Sequence, residues 1–285
     1  MKPAPFEYHA PRTVREALDV LAEVAPRDGR VLAGGQSLVP AMALRLARPA
    51  HLVDINGVKD LERLAVAAGA LEIGACARHA AFHRPVVDGA LGLLLSEVAR
   101  HIAHYPIRIR GTFCGSLAHA DPASEWCLVA ATLDSRMVAR SVRGARTIAA
   151  VDFFRGAMTT ALEADELLAE TRIPLPAPDT RFGFSEFSRR AGDFGIAMAL
   201  ATYRVRGGVM TEARIGIGGV EDAPRRIAQA EAALEGKRPG TEAFLAAADA
   251  VARAVAPLDD ARCPAPYRRE VARAMARRAL ERAAA

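Results

Sequence analysis

A proline-rich segment divides the chain into two parts. Ile173-Pro-Leu-Pro-Ala-Pro178 holds three prolines in five residues. Proline lacks a backbone N–H and fixes φ, so this segment disfavours a continuing helix or a central strand. We therefore expect a domain boundary here, with one domain over residues 1–175 and a second over residues 179–285. A chain of 285 residues is long enough for two packed cores.

Short strands and helices alternate before this boundary. Thr13-Val-Arg-Glu16 has the form of a capping box, and apolar residues at helical spacing follow it, so a helix is predicted over residues 14–25. Residues 104–111 are expected to form a loop. Further strands are predicted over 31–33, 51–55, 71–75, 137–142 and 168–173, and further helices over 38–46, 78–83, 90–103 and 121–133.

The pattern after the boundary is different. Three apolar stretches read as an antiparallel meander, and Gly207-Gly208 is typical of a hairpin turn between two of them. The strands are predicted over 182–188, 198–206 and 209–217, and helices over 226–235, 241–256 and 267–283. The fold class that follows is α+β.

The segment Leu32-Ala-Gly-Gly-Gln-Ser-Leu38 is the strongest local signal for ligand binding. Two glycines after a strand allow dihedrals that let successive N–H groups converge on an anion. A helix beginning at Leu38 and the Ser37 hydroxyl would add to the attraction for a pyrophosphate. The same glycine pair also serves as an ordinary turn, and this segment alone does not separate the two interpretations.

A second glycine-containing turn follows Arg110, in Thr112-Phe-Cys-Gly-Ser116. Its hydroxyls and N–H groups are short-range donors, and Asp121 and Glu125 are acceptors suited to ribityl or ribose hydroxyls. Asp121 before Pro122 also fits a helix cap, and His119 also fits a structural role. No Walker A loop or Rossmann fingerprint is present, because no Lys follows the glycines and Gly216-Ile-Gly-Gly219 lacks the required spacing.

Composition and charge exclude several classes of function. The formal charge is +5 and the sequence pI is near 9.3, and the basic residues are spread along the chain. The arginines near the C-terminus have no aromatic residues between them, so nucleic-acid binding is not expected. Those arginines fit either a solvated helix face or a docking face for a partner subunit. They are Arg268, Arg269, Arg273, Arg277, Arg278 and Arg282.

The four cysteines are scattered, with no C-x-x-C pair and no adjacent histidine cluster. We therefore expect no zinc site, no iron–sulfur cluster and no other metal within this chain. Unpaired cysteines, together with the absence of a signal peptide and of a long apolar run, predict a cytoplasmic protein without a membrane span.

The two glycine turns together resemble a known family. Ala-Gly-Gly-Gln-Ser (33–37), Thr-x-x-Gly-Ser (112–116) and the following Ala-His-Ala-Asp-Pro-Ala-Ser are similar to the FAD-binding medium subunit of carbon monoxide dehydrogenase. This subunit belongs to the xanthine dehydrogenase family of molybdenum hydroxylases. The similarity continues in Asp165-Glu-Leu-Leu168 and in Ser188-Arg-Arg-Ala-Gly-Asp-Phe194, and so spans nearly the whole chain.

The resemblance implies both a fold and a function. The fold would be an FAD-binding domain of the vanillyl-alcohol-oxidase (PCMH) type, with subdomains over about 1–56 and 57–175, followed by a C-terminal domain with a three-stranded antiparallel sheet and a helical bundle. The chain would be an oxidoreductase subunit that binds FAD. It would carry electrons from the [2Fe-2S] clusters of a small partner subunit to an external acceptor. A large partner subunit would hold molybdopterin, and the assembly would be a dimer of heterotrimers.

The resemblance also implies site residues by matching positions. The pyrophosphate would lie against the first turn with Arg30 close by, and the second turn would complete the cradle. Glu125 would bind the hydroxyl-bearing chain of the cofactor, and Ile102 and Leu168 would flank the isoalloxazine or simply belong to the core. The cofactor-binding set is Arg30, Ala33, Gly34, Gly35, Gln36, Ser37, Leu38, Ile102, Thr112, Cys114, Gly115, Ser116, Glu125, Leu168 and Glu186. No catalytic residue is expected in this chain.

Four positions depart from the family pattern. Cys114 stands where a glycine is usual, so a side chain is expected to crowd the phosphates. Glu186 stands where a lysine is frequent, and it would bring negative charge near the flavin and disfavour its reduction if it points inward. Glu125 replaces an aspartate and Ile109 an asparagine. Two alternatives stay open: a self-contained FAD-dependent oxidoreductase, and an assembly module that has lost FAD, for which Cys114 and Glu186 are the supporting features.

Overall fold

The N-terminal part forms a small parallel sheet. The computed structural model describes residues 2–261 and 263–285. The strands β1 (Glu7–His9), β2 (Gly29–Leu32) and β3 (His51–Asp54) lie in the order β1-β3-β2. The helix α1 (Val14–Val24) begins at the predicted capping box, in which Thr13 and Glu16 bond each other's backbone, and its buried face packs on the sheet. A short helix α2 (Leu38–Ala43) follows β2.

A five-stranded antiparallel sheet follows, and its central strand comes from the far end of this region. The strands are β4 (Leu64–Ala67), β5 (Ala70–Gly74), β6 (Arg136–Ser141), β7 (Gly144–Ala149), β8 (Phe154–Gly156), β9 (Thr159–Thr160) and β10 (Leu167–Pro174). The order in the five-stranded sheet is β4-β5-β10-β6-β7, and β8 and β9 form a separate two-stranded ribbon. The helices are α3 (Ala90–His101), α4 (Tyr105–Arg108), α5 (Phe113–His119), α6 (Glu125–Thr132) and α7 (Ala150–Phe153).

The C-terminal part is an antiparallel meander covered by helices. The strands are β11 (Arg181–Phe187), β12 (Ala197–Arg206), β13 (Val209–Gly218) and β14 (Arg225–Arg226), and the helices are α8 (Ala228–Leu234), α9 (Thr241–Ala254) and α10 (Ala265–Ala284). Gly207 and Gly208 form the predicted hairpin turn with φ of +57° and +80°. The helix α10 packs so closely on β11 that a Cβ at Gly183 would lie 2.0 Å from the carbonyl oxygen of Ala279.

Several predicted elements differ from the structure. The helix expected over 121–133 begins only at Glu125, because Asp121 accepts a hydrogen bond from the N–H of Ala123 at 2.9 Å and forms a turn instead. The expected loop over 104–111 contains the helix α4. The sheet predicted with three strands has a fourth, the two-residue β14. The strands β1, β4, β7, β8 and β9 were not predicted, since short strands with almost no buried side chains lack a clear apolar pattern.

The two parts of the chain share buried surface. One hydrophobic core extends from α1 through the five-stranded sheet and includes Phe184, Met198 and Leu200 of the meander. A second core lies between the opposite face of the meander and the helices α8 to α10. The meander therefore lies between the two cores, and its first strand, β11, contacts α3 of the N-terminal part. No helix in the described part of the chain is long and apolar enough to cross a membrane.

Candidate functional site

A deep groove of about 640 Å³ lies between the small parallel sheet and the five-stranded sheet. Both glycine turns line it, and so do the ribbon β8-β9 and the segment leading into β10. A volume of this size is within the range of pockets that enclose most of a small molecule's surface. The groove is the place in this fold where the two candidate phosphate-binding segments could act together.

The first turn presents a row of unpaired backbone donors to this groove. Gly35 adopts a left-handed conformation with φ of +71°, and the Gln36 side chain donates to the carbonyl of Gly34 at 3.1 Å. The N–H groups of residues 34–38 donate to no acceptor within residues 2–261 and 263–285. Successive free N–H groups around a left-handed residue form an anion-binding nest.

The second turn begins the helix α5, and its cysteine side chain faces away from the groove. Thr112 caps the helix by accepting from the N–H of Gly115 at 3.1 Å. The Cys114 sulfur instead lies 3.3 Å from the carbonyl of Ile73 and 3.4 Å from the hydroxyl of Thr171, inside the five-stranded sheet. The thiol therefore packs against the five-stranded sheet, and the residue is only 2% exposed, which speaks against the expectation that it crowds the phosphates.

The two turns touch each other directly. A Cβ atom at Gly34 would lie 2.5 Å from the carbonyl oxygen of Arg110 and 2.5 Å from the Cα of Gly111. Such distances are shorter than any ordinary carbon contact, so only glycine at position 34 permits this approach. The free N–H groups of the first turn and the capped start of α5 thus face the same volume.

Two polar side chains that sequence reasoning missed connect the turns. Asn56 donates to the carbonyl of Ala33 at 2.8 Å, and Arg78 donates to the Asn56 side chain at 2.6 Å. Arg78 also donates to the carbonyl of Arg110. The chain Ala33–Asn56–Arg78–Arg110 is therefore a continuous polar bridge. Nothing in the local sequence around Asn56 or Arg78 indicated this role, although Asn56-Gly57 is a typical turn pair.

Replacing Arg78 by methionine should loosen this bridge. The change removes two charge-assisted hydrogen bonds and leaves the carbonyl of Arg110 and the side chain of Asn56 short of a donor. We expect a loss of about 1.5 kcal/mol in the free energy of unfolding, measured by urea denaturation. Arg15→Met is the matched control, since its ion pair with Asp19 is exposed and should be worth less than about 0.5 kcal/mol. Equal losses of unfolding free energy in both variants would show that the polar bridge stabilises the fold no more than an exposed ion pair does.

The residues at the groove suit a nucleotide cofactor with two phosphates. The nest supplies free backbone donors, and the hydroxyls of Thr112 and Ser116 add donors at the start of α5. Arg30 on β2, which lies 3.6 Å from Asp28, adds a cation with 63% of its side chain exposed, and Leu168 is an apolar lining residue. The lining therefore combines polar and apolar groups, which fits a molecule with a diphosphate and a planar ring.

Twelve of the fifteen residues predicted to bind the cofactor line the groove. They are Arg30, Ala33, Gly34, Gly35, Gln36, Ser37, Leu38, Thr112, Cys114, Gly115, Ser116 and Leu168, and His119 lines it as well. The structure does not bring Ile102, Glu125 or Glu186 into this lining. Ile102 is buried at the end of α3, and its carbonyl accepts from Arg108 at 2.7 Å. His79, which was not predicted, borders the groove and accepts from the indole N–H of Trp126 at 2.9 Å.

Glu125 and Glu186 form a buried acidic pair on the side of α3 toward the meander. Burial, and then the proximity of Glu125, raises the pKa of Glu186 to about 8, and burial raises the pKa of Glu125 to about 7. Burial lowers the pKa of His101, whose Nδ1 lies 3.6 Å from Glu186. The contact therefore joins largely neutral groups near pH 7 and is not a strong ion pair. Burial therefore favours the protonated, neutral form of Glu186, in contrast to the negative charge expected at this position.

Comparison with known proteins identifies the family of this chain. Residues 4–176 match the family described as the FAD binding domain in molybdopterin dehydrogenase, and residues 182–283 match the CO dehydrogenase flavoprotein C-terminal domain. The chain belongs to the FAD-binding medium subunits of the molybdenum hydroxylases. This medium subunit is accordingly part of an oxidoreductase, and its cofactor is FAD.

Relatives match over nearly their full length. The nicotine 6-hydroxylase medium subunit of Paenarthrobacter nicotinovorans is 36% identical over 100% of this chain and 99% of its own. The solved carbon monoxide dehydrogenase of Hydrogenophaga pseudoflava superposes with a TM-score of 0.95 at 37% identity, covering 99% of this chain and 98% of that one. Quinoline 2-oxidoreductase of Pseudomonas putida 86 gives a TM-score of 0.92 at 36% identity, with 100% and 99% covered. The expected family and α+β fold are thus confirmed.

Proposed function

We propose that this medium subunit holds FAD in the groove and passes electrons from [2Fe-2S] clusters of a small partner subunit to an external acceptor. The observation that supports this most directly is the contact between the two glycine turns, which brings the free N–H groups of residues 34–38 and the start of α5 to the lining of one groove. Those donors would bind the diphosphate, and Arg30 would add positive charge beside it.

The chain's own residues have a binding and positioning role in this proposal. Gly34 allows the turns to meet, Thr112 fixes the start of α5, and Asn56 and Arg78 hold the two loops at a constant separation. When bound, a flavin exchanges electrons singly or in pairs, so it can connect one-electron clusters with a two-electron acceptor such as oxygen, a quinone, a dye or NAD⁺. Neither an acid–base dyad nor a nucleophile is needed in this chain.

The partners belong to the same proposal. A large subunit would hold molybdopterin and oxidise the organic substrate, and the complex would be a dimer of heterotrimers. Medium chains of carbon monoxide dehydrogenase and nicotine 6-hydroxylase among the relatives support a multi-subunit enzyme. All four cysteines are free thiols, which suits the reducing cytoplasm in which we place the complex.

A competition experiment tests the diphosphate cradle. The full chain, stripped of flavin, should bind one FAD per chain, measured by quenching of flavin fluorescence. Adenosine diphosphate should displace FAD, whereas riboflavin, which has no phosphate, should compete at least ~10-fold more weakly. Displacement by riboflavin as effective as that by adenosine diphosphate would contradict a site built around the phosphates, and absence of FAD binding would favour the assembly module.

A second measurement distinguishes an electron-transfer subunit from a self-contained enzyme. The tagged chain should co-purify with a molybdopterin subunit and a two-cluster subunit, and only that complex should oxidise the organic substrate. Turnover of an organic substrate by the isolated FAD-loaded chain would support the self-contained oxidoreductase instead.

A further inference from the structure

Two strands of the small parallel sheet bring three metal-ligating side chains together, outside the groove. Glu7 and His9 lie on the edge strand β1, and His51 begins the neighbouring strand β3. Glu7 and His51 are register partners, and side chains two residues apart on a strand share one face. All three side chains therefore project from the same side of the sheet.

The ligand atoms have the spacing of a coordination shell. The distance from His51 Nδ1 to His9 Nε2 is 3.2 Å, and the distance from His51 Nδ1 to a Glu7 carboxylate oxygen is 3.3 Å. All the ligand atoms lie within 4.8 Å of one another. Zinc binds imidazole nitrogen at about 2.0–2.1 Å in a tetrahedron, which places neighbouring ligand atoms about 3.3 Å apart.

A single two-centre hydrogen bond at His51 Nδ1 accounts for only one of the two short contacts. The Nδ1 atom of His51 takes part in each, and one ring nitrogen of a neutral imidazole is either a donor or an acceptor. If it accepts from His9, its lone pair faces the carboxylate of Glu7. If it donates to Glu7, its hydrogen is shared with a second contact to His9. A divalent cation between the three groups would satisfy all of them at once.

We propose that Glu7, His9 and His51 bind a divalent cation of the zinc class, with water as the fourth ligand. Two imidazoles and one carboxylate are a ligand set that zinc prefers, and the exposed side chain of Glu7 leaves room for the water. Within residues 2–261 and 263–285 this is the one group of histidine, cysteine or acidic residues with metal-binding geometry. Sequence analysis predicted no metal, because its two histidines are 42 residues apart in the chain.

The site is separate from the cofactor groove. None of the three proposed ligands lines that groove, although Gly29, the register partner of His51 on β2, does. The cation would tie the three-residue edge strand β1 to the centre of the small sheet, which is a structural role.

Metal titration of the full, FAD-loaded chain tests this site. The protein is prepared without a histidine tag, stripped with a chelator and titrated with zinc chloride in a calorimeter. We expect one Zn²⁺ per chain and a higher melting temperature with the metal. His9→Ala and Glu7→Gln, both outside the core, should each weaken Zn²⁺ binding at least ~10-fold. His104→Ala, an exposed histidine elsewhere, is the control and should bind like the parent.

Cobalt gives an independent readout of geometry. Co²⁺ in place of zinc should give the intense visible absorption typical of tetrahedral coordination, and His9→Ala should lose it. Absence of stoichiometric Zn²⁺ binding, equal binding in the parent and His9→Ala, or only the weak spectrum of octahedral Co²⁺ would overturn the assignment.

Discussion

Replacing Gly34 by alanine should reduce FAD affinity by roughly 10- to 100-fold, because the added methyl group forces the two turns apart. The new Cβ would lie 2.5 Å from the Arg110 carbonyl oxygen and from the Cα of Gly111. Both atoms belong to backbone, so neither can rotate away as a flexible side chain would. The free N–H groups of the first turn would then no longer face the start of α5 at the distance that a diphosphate requires.

The measurement is a fluorescence titration of FAD into the flavin-free variant, with circular dichroism to show that the fold persists. Gly240→Ala is the matched control, since a Cβ there meets no atom within 4 Å and its backbone is extended. Parent-like FAD affinity in a folded Gly34→Ala variant would show that contact between the turns does not build the cofactor site.

Replacing Glu186 by glutamine should stabilise the protein at alkaline pH and change little in acid. Burial raises the pKa of Glu186 from 4.5 to about 8 in the folded chain. The folded state therefore holds a proton that the unfolded chain releases near pH 4.5. The stability linked to this proton is complete below pH 4.5 and is lost as the pH rises through about 8.

Glutamine cannot ionise, so the variant should avoid this loss. At pH 9 we expect the variant to exceed the parent by on the order of 3 kcal/mol in the free energy of unfolding, and the difference should shrink toward pH 5. Urea denaturation across the pH range measures it. Glu270→Gln, an exposed position, should leave the pH profile unchanged. A constant difference between the Glu186 variant and the parent at every pH would contradict a buried, protonated carboxyl.

The elements with strong local signals were predicted well from sequence. The capping box at Thr13 located the start of α1, and Gly207-Gly208 located the hairpin between β12 and β13, because both are set by residues adjacent in the chain. The strand β1 was missed because it pairs with the distant strand β3. The strand β4 forms a hairpin with the adjacent β5, and it was missed because none of its side chains is buried. The Asp121-Pro122 pair suggested a helix start, but its side chain stabilises a turn just before α6.

In the candidate site, too, the features set by neighbouring residues were predicted and those set by tertiary packing were not. Each glycine turn was visible in the sequence, yet their contact depends on the packing of two sheets. The polar bridge through Asn56 and Arg78 joins segments far apart in the chain, so no spacing rule could find it. The direction of the Cys114 side chain depends on which face of α5 is buried, and that was not evident from a seven-residue helix.

The inward direction of the Cys114 thiol has a consequence for oxidation. Burial raises its pKa to about 12, and the thiolate is the form that peroxides attack. If oxygen is the electron acceptor, hydrogen peroxide released by the flavin would meet a thiol that is almost fully buried and stays protonated. The cradle can thus include a cysteine without becoming a redox-sensitive element of the enzyme.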